Sequence, residues 1–413
     1  MLTKAETNNA IVVRLTNVRK HPNADRLQLA DVLGVTVVVG LDAFEGQKVI
    51  YFDSNLTLTP LFLKPNNLYS NKEMNANPEK GGYFGKNGHV RARRLRGEMS
   101  VGFVAEPELL VTAGATLESI ADLNEGDEFT HIDGVEICRK FISKPNTPGA
   151  PGSWTRRGKR FLLPQTEYFW RHWETHQLMR ELRFIPAGAI RLEEKIHGTS
   201  GRTAKLLCRT YKCWWQFWRH AFEWKVISGT RRQDDINGHI CETRRIVEQQ
   251  VADKIHEGEQ LYYEIYGCEV NGKRIQKLSD YGCQPGVFKV LLYRVTITTP
   301  DGKCYDLSRR EVDKRADELG WEKPTVLWEG WYGGMVEPEL GMAEGPVGTT
   351  IEHLLHFCDG KSTLDAGTLR EGFVLWFQRL DGSWSCLKHK SAEFLAAENK
   401  LAEEGEGDVE DII

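Results

Sequence analysis

Residues 193–202 read EEKIHGTSGR. Two acids precede Lys195, and Gly198, Thr199 and Ser200 come shortly after it. Glycine tolerates tight backbone turns that other residues resist, so Lys195 stands beside a turn rather than inside a helix. Lysine and glycine are both common, and Lys-x-x-Gly alone decides little. Its weight comes from the order of the motifs downstream. LYYEIYG (261–267) puts Glu264 near the end of an aromatic strand, and VFKVLLYRV (287–295) is an apolar strand carrying Tyr293. REGFVLWF (370–377) sets Glu371 at the head of a buried strand. In CLKHKS (386–391), Lys388 and Lys390 share one side, because strand side chains alternate with period two. Charged residues in such strands need a polar partner or solvent. Taken singly, each reads as an edge salt bridge or an exposed strand face. The ordered set is what points to chemistry.

The chain has 413 residues, which favours two domains over one. Hydrophobic residues make up 40% and charged residues 27%, the balance of a soluble globular protein. No apolar run approaches the roughly 20 residues that span a bilayer. MLTKAETNNA has neither the basic start nor the apolar core of a signal peptide. Nine cysteines form no CxxC pair, which predicts reduced thiols and a cytoplasmic setting rather than disulfides or a closed zinc site. The net charge of −4 does not advertise a nucleic-acid binder, but basic residues cluster. Arg91, Arg93, Arg94 and Arg96 form one group, and Arg156, Arg157, Lys159 and Arg160 another, while the tail EEGEGDVED is acidic. Each cluster reads equally as a polyanion contact or as a solvated surface.

Residues 10–40 alternate β-branched and polar residues around a Pro-Asn-Ala-Asp turn, predicting strand, turn, strand, strand. KVIYFDSNLTL and HVRARRLRGEMSVGFVAE continue the pattern, which suggests a small β-barrel. ISKPNTPGAPGSW has the composition of a linker. The division expected is an N-terminal domain over 1–142, a linker over 143–160, a second domain over 161–395 and an acidic tail over 396–413. QTEYFWRHWETHQLMRELR (165–183) reads as helical, as do ETRRIVEQQVADKIHE and RREVDKRADELG. From about 188 to 395, strands alternate with these helices, so the class is α+β. CRTYKCWWQFWRHAFEWKV (208–226) holds four of the twelve tryptophans among cations. It suits either base stacking or packing on its own domain.

In their order these motifs resemble those of the covalent nucleotidyltransferases, and within them the ATP-dependent RNA ligases with an RNA ligase 2-like catalytic domain. EKIHGTS resembles that nucleophile motif, in which His after Lys-Ile and then Gly-Thr are typical. DNA ligases and capping enzymes usually place Asp where His197 stands. HPNADRLQLADV resembles the opening of the tRNA-binding type of OB-fold, and RHWETHQL (171–178) a segment found upstream of the nucleophile in the branch with an N-terminal OB domain. The 23 residues after Lys390 are too few for the C-terminal OB domain of DNA ligases. The fold implied is an OB-like barrel followed by an ATP-grasp-like ligase domain of mixed and antiparallel sheets with peripheral helices.

The resemblance further implies ATP and Mg2+ or Mn2+ as cofactors and RNA with 3′-OH and 5′-phosphate ends as partner; no membrane is expected, no partner protein is inferred, and the chain is read as a monomer. Lys195 would attack the ATP α-phosphate, and a lysine amine, ordinarily protonated up to about pH 10.4, must first lose its proton. Gly198 would turn beneath the nucleotide, Glu264 would meet the ribose hydroxyls and Tyr293 would stack on adenine, with Phe288 as the fallback. Glu371 would hold the metal. Lys388 and Lys390 would contact the α-phosphate, Arg231 (or Arg232) the phosphates, and His197 would assist transfer to RNA. Ser200 stands where Asn is usual, and Tyr293-Arg294 where Phe-Asp is usual. Two other classes compete. A DNA ligase or capping-type guanylyltransferase is opposed by His197; an inactive RNA- or tRNA-binding protein is opposed by the filled catalytic positions.

Overall fold

Apolar–polar alternation over residues 10–58 becomes a run of short strands: Ala10–Arg14, Thr16–Lys20, Gln28–Val32, Val35–Val39, Lys48–Phe52 and Leu56–Leu58. The computed structural model describes residues 1–5, 7–142, 166–173, 175–211, 220–231, 241–333 and 349–403. The chain falls into two compact units. One contains Met1–Pro145, His176–Arg180 and Lys390–Gly407; the other contains Asn146–Thr175, Glu181–His389 and Asp408–Ile413.

In the first unit the strands make several small antiparallel sheets. Ala10–Arg14 and Lys48–Phe52 pair centrally, flanked by Glu128–Phe129 and Phe103–Ala105, while Thr16–Lys20, Gln28–Val32 and Val35–Val39 form a separate meander. The expected barrel is therefore not one continuous ladder, and no described sheet closes on itself. Its strands, of two to five residues, are divided among several small sheets. A core of Val12, Ile50, Phe52, Phe62, Phe84 and Phe129 fills the space between them. The arginine-rich stretch forms the hairpin Ala92–Leu95 with Glu98–Val101. Arg93 lies over the Tyr83 ring and Arg94 pairs with Glu393. Residues 156–160 lie outside the described residues.

The second unit is built on two antiparallel sheets. In one, Gly188–Glu194 lies between Gly372–Gln378 and Val326–Tyr332, with Trp384–Lys390 beyond Gly372–Gln378. In the other the order is His220–Thr230, Thr199–Tyr211, Glu259–Gly267, Phe288–Thr298 and Cys304–Asp306. Leu261, Tyr263 and Ile265 alternate onto one face, where Val247 and Val251 of the helix Glu242–Val251 and Val312 and Ala316 of the helix Arg309–Leu319 cover them. Ser308 and Glu311 form a reciprocal capping box that starts the latter helix.

The helix expected over 165–183 does not form. Residues 166–173 carry no regular element, His176–Gln177 is a short strand, and 3-10 turns follow at Leu178–Arg180 and Leu182–Phe184. The reason lies in two buried side chains of the second sheet. Arg202 donates to the Phe169 and Trp170 carbonyls at 3.0 Å, and Gln260 donates to the Trp170 carbonyl while its Oε1 accepts from the Trp170 amide. Backbone groups satisfied this way no longer need a helix. Of the tryptophan-rich segment, 208–211 and 220–226 belong to the paired strands Thr199–Tyr211 and His220–Thr230, and residues 212–219 lie outside the described residues.

Candidate active site

Lys195 lies in the connection between the two sheets of the second unit: Gly188–Glu194 ends just before it and Thr199–Tyr211 begins just after. The turn must pass close under its neighbour. A Cβ on Gly198 would come within 2.4 Å of the Ile265 carbonyl oxygen and 2.8 Å of Glu264 Cγ, so only glycine fits. Gln276 donates to the Gly198 carbonyl, and Arg244 to Thr199 Oγ1 and the Ser200 carbonyl. The turn is thus held from both sides.

Between the sheets opens a cleft of about 140 Å³. Lys195, Arg231, Glu264, Tyr293 and Lys388 all line it, with Ser200, Trp173 and His172 among their neighbours. The Lys195 ammonium donates to Glu371 Oε2 at 2.9 Å, and Glu371 is only 2% exposed. His197 is buried behind the turn with Nδ1 3.8 Å from the same oxygen. Ser200 Oγ donates to Glu264 Oε2 at 3.0 Å, so the serine that stands in place of asparagine holds the carboxylate.

Tyr293 faces the cleft in alternation with Leu291, and a bulge brings Arg294 to the same side. Tyr262 pairs with Arg294 and Tyr263 with Leu292, leaving Tyr293 as the extra residue. Val290 and Leu292 pack into the helix-covered core, whereas Tyr293 and Arg294 both line the cleft. Bulges redirect side chains in just this way. Phe288, the fallback, packs against the core instead. Tyr293 Oη lies 2.7 Å from His172 Nδ1. Burial, followed by the charges of Arg202, Arg231, Arg294 and Arg244, holds the His172 pKa well below its ordinary value, so the imidazole is neutral. Arg294 is clamped by Asp306 and stacked over Trp173 at 3.5 Å.

One expected member stands elsewhere. Lys390 does not line the cleft; its ammonium bonds Glu398 at 2.9 and 3.1 Å. Arg232 lies outside the described residues. Sequence reasoning missed Glu193, Arg309 and Tyr281. Glu193 is bound by Arg309 through both oxygens at 2.7 Å, which braces the lysine strand against the helix Arg309–Leu319. The signal for that pair was two consecutive acids in an apolar strand, since a buried carboxylate implies a buried cation. Tyr281 sits in an irregular loop with no such mark.

Among the described residues no group of three or more His, Cys, Asp or Glu side chains could hold a metal by itself. The donors do fit an ion carried mainly by substrate phosphates, which needs only one or two carboxylates. Glu264 lines the cleft and Glu371 touches Lys195, whereas Glu193 and Glu194 are committed to Arg309 and to Thr363.

No family model matches the sequence, and no curated protein matches it. Solved structures do. Naegleria gruberi RNA ligase with PPi aligns at 17% identity and a TM-score of 0.52, over 95% of this chain and 99% of that one. A lysine-to-alanine mutant of that ligase with ATP and Mn aligns at 16% and 0.54, over 94% and 98%. A lysine-to-methionine mutant with AMP and Mn aligns at 16% and 0.53, over 95% and 99%. Over nearly its whole length, the chain shares the fold of Naegleria gruberi RNA ligase.

Proposed function

We propose that the chain is an ATP-dependent RNA ligase that repairs breaks by joining 3′-OH and 5′-phosphate ends. One observation carries this reading: Lys195, on a turn that only glycine permits, shares a cleft with Arg231, Glu264, Tyr293 and Lys388. A lysine nucleophile, a carboxylate, an aromatic wall and two further cations are what attack on a nucleotide α-phosphate requires.

The steps follow from the groups present. Lys195 Nζ, once relieved of its proton, forms a bond to the α-phosphorus while the α–β bridging bond breaks and pyrophosphate leaves, giving lysyl-AMP. The 5′-phosphate of RNA then attacks that phosphorus, the P–N bond breaks and the lysine regains a proton. Finally the 3′-OH attacks the adenylylated 5′-phosphorus and AMP departs. Tyr293 stacks on adenine, and Glu264, fixed by Ser200, accepts from the ribose hydroxyls. Arg231 and Lys388 stabilise phosphate charge. Lys390 is read with Lys388 as a second phosphate lysine, and its ammonium is bound to Glu398. Glu371 orients the Lys195 amine, and with Glu264 it would hold Mg2+ or Mn2+. When bound with the triphosphate, that ion would supply charge neutralisation at the phosphates. His197 assists transfer to RNA from behind the turn. The first unit, read as OB-like, would follow the RNA backbone with its arginine hairpin. A cytoplasmic setting is part of this proposal; no described helix is long and apolar enough to cross a membrane.

The test is to incubate the chain with α-labelled ATP and magnesium or manganese, denature it and look for bound label. Label on the wild type and none on Lys195→Ala is expected, followed by sealing of a nicked RNA. A preference for GTP would favour a capping-type enzyme. RNA binding with no label from any nucleotide would leave a binding protein.

A further inference from the structure

The loop of residues 268–287, between the strands Glu259–Gly267 and Phe288–Thr298, does more than connect them. It folds back under the lysine turn. Tyr281 is 6% exposed, and its Oη accepts a hydrogen bond from the His197 amide at 2.7 Å. Its ring meets Tyr266 edge to face at 5.2 Å. Its amide is held by Ser279 Oγ at 2.9 Å, and Ser279 Oγ lies 2.6 Å from Thr368 Oγ1, beside the strand that starts after Glu371. Tyr281 also has φ +50°, in the left-handed region that a bulky residue avoids. Such a conformation persists only where surrounding contacts impose it, and it gathers at functional sites. Nothing in the packing of Tyr266 needs a hydroxyl at this point. The hydroxyl has a partner in the turn that carries Lys195.

We infer that Tyr281 is a positioning residue for the nucleophile turn: its phenolic oxygen fixes the His197 amide and, through two peptide units, the direction in which Lys195 Nζ leaves the backbone. The inference rests on the ligase reading of Lys195. Burial, followed by the Glu371 charge, raises the phenol far above its ordinary pKa, so the oxygen stays neutral at all working pH. Loss of the bond would let the turn relax by a fraction of an ångström, which is enough to slow an in-line attack severely. It would leave the later sealing step nearly untouched, because there Lys195 is no longer the nucleophile.

Tyr281→Phe removes the oxygen and keeps the ring. Single-turnover labelling from α-labelled ATP should slow by about tenfold or more at saturating ATP, with half-saturation within about twofold of wild type. Sealing of a pre-adenylylated nicked RNA should stay within about twofold. Should Tyr281→Phe fail to fold, 3-fluorotyrosine at 281 weakens the acceptor without changing the shape, and the same split between the two steps is expected. Equal labelling by wild type and variant, or equal loss in both steps, overturns the positioning role and leaves the ligase reading standing. An unlabelled wild type overturns both.

Discussion

Tyr293 shows how far one residue can be read from sequence. Its strand and its aromatic character are plain in VFKVLLYRV, but strict alternation would send Tyr293 and Arg294 to opposite faces. Tyr293 follows Leu291 to the cleft by that alternation; the bulge that brings Arg294 to the same side leaves no trace in composition, because it arises from register against Glu259–Gly267. Lys195 was legible for the opposite reason: its turn depends on Gly198, and glycine announces itself. In the ligase reading, Tyr293 supplies a stacking face to adenine and His172 holds its hydroxyl at 2.7 Å. Tyr293→Leu should therefore raise the ATP concentration for half-maximal labelling about tenfold, since base–aromatic stacking contributes ~1–3 kcal/mol. Tyr293→Phe keeps the face and should stay within about threefold of wild type. A titration of label against ATP separates them, and a Tyr293→Leu protein with wild-type half-saturation would remove stacking from the account.

Elements were legible where their periodicity was local and lost where distant side chains captured the backbone. The helix Arg309–Leu319 carries its own start signal in Ser308 and Glu311 and its own stop at Gly320. The stretch 166–173 carries helical spacing too, yet its carbonyls belong to Arg202 and Gln260, which lie over thirty residues away in the chain. The same long reach makes Arg309 a brace. It binds Glu193 through both oxygens, donates to the Tyr293 carbonyl and lies over Trp376 at 4.2 Å. Breaking a buried pair by removing one partner leaves an uncompensated charge and costs ~3–5 kcal/mol. Arg191 stays 2.9 Å from Glu193, so Arg309→Met should lower unfolding stability in urea by the lower end of that range, ~3 kcal/mol, against ~1 kcal/mol for Ser308→Ala, which removes only a cap. Equal losses in the two variants would show that Arg309 contributes no more than its helix does.

Across the whole molecule, the chain returns to its beginning. Composition reads residues 396–413 as an acidic tail, but the helix Ala392–Glu403 runs well into that stretch and belongs to the unit built from Met1–Pro145. Sequence order hides this, because the contacts join residues some three hundred positions apart. Leu395 packs with Ala92 and Val101, and Asn399 Oδ1 accepts the buried Ala92 amide at 2.7 Å. Glu393 pairs with Arg94 and Glu398 with Lys390. A buried amide stripped of its acceptor costs ~1–3 kcal/mol, and each apolar side chain returned to water costs a further ~1.5–3 kcal/mol. A chain ended after Lys390 should therefore unfold its first unit at a clearly lower temperature. Yet the residues lining the cleft run only from His172 to Lys388, and none lies on the deleted helix. Below the new melting point, lysyl-AMP formation by the shortened chain should stay within about twofold of the full chain. Calorimetry paired with α-labelled ATP reads both effects at once. Loss of labelling from a chain that still melts cooperatively would mean that the terminal helix serves the first chemical step as well as the fold.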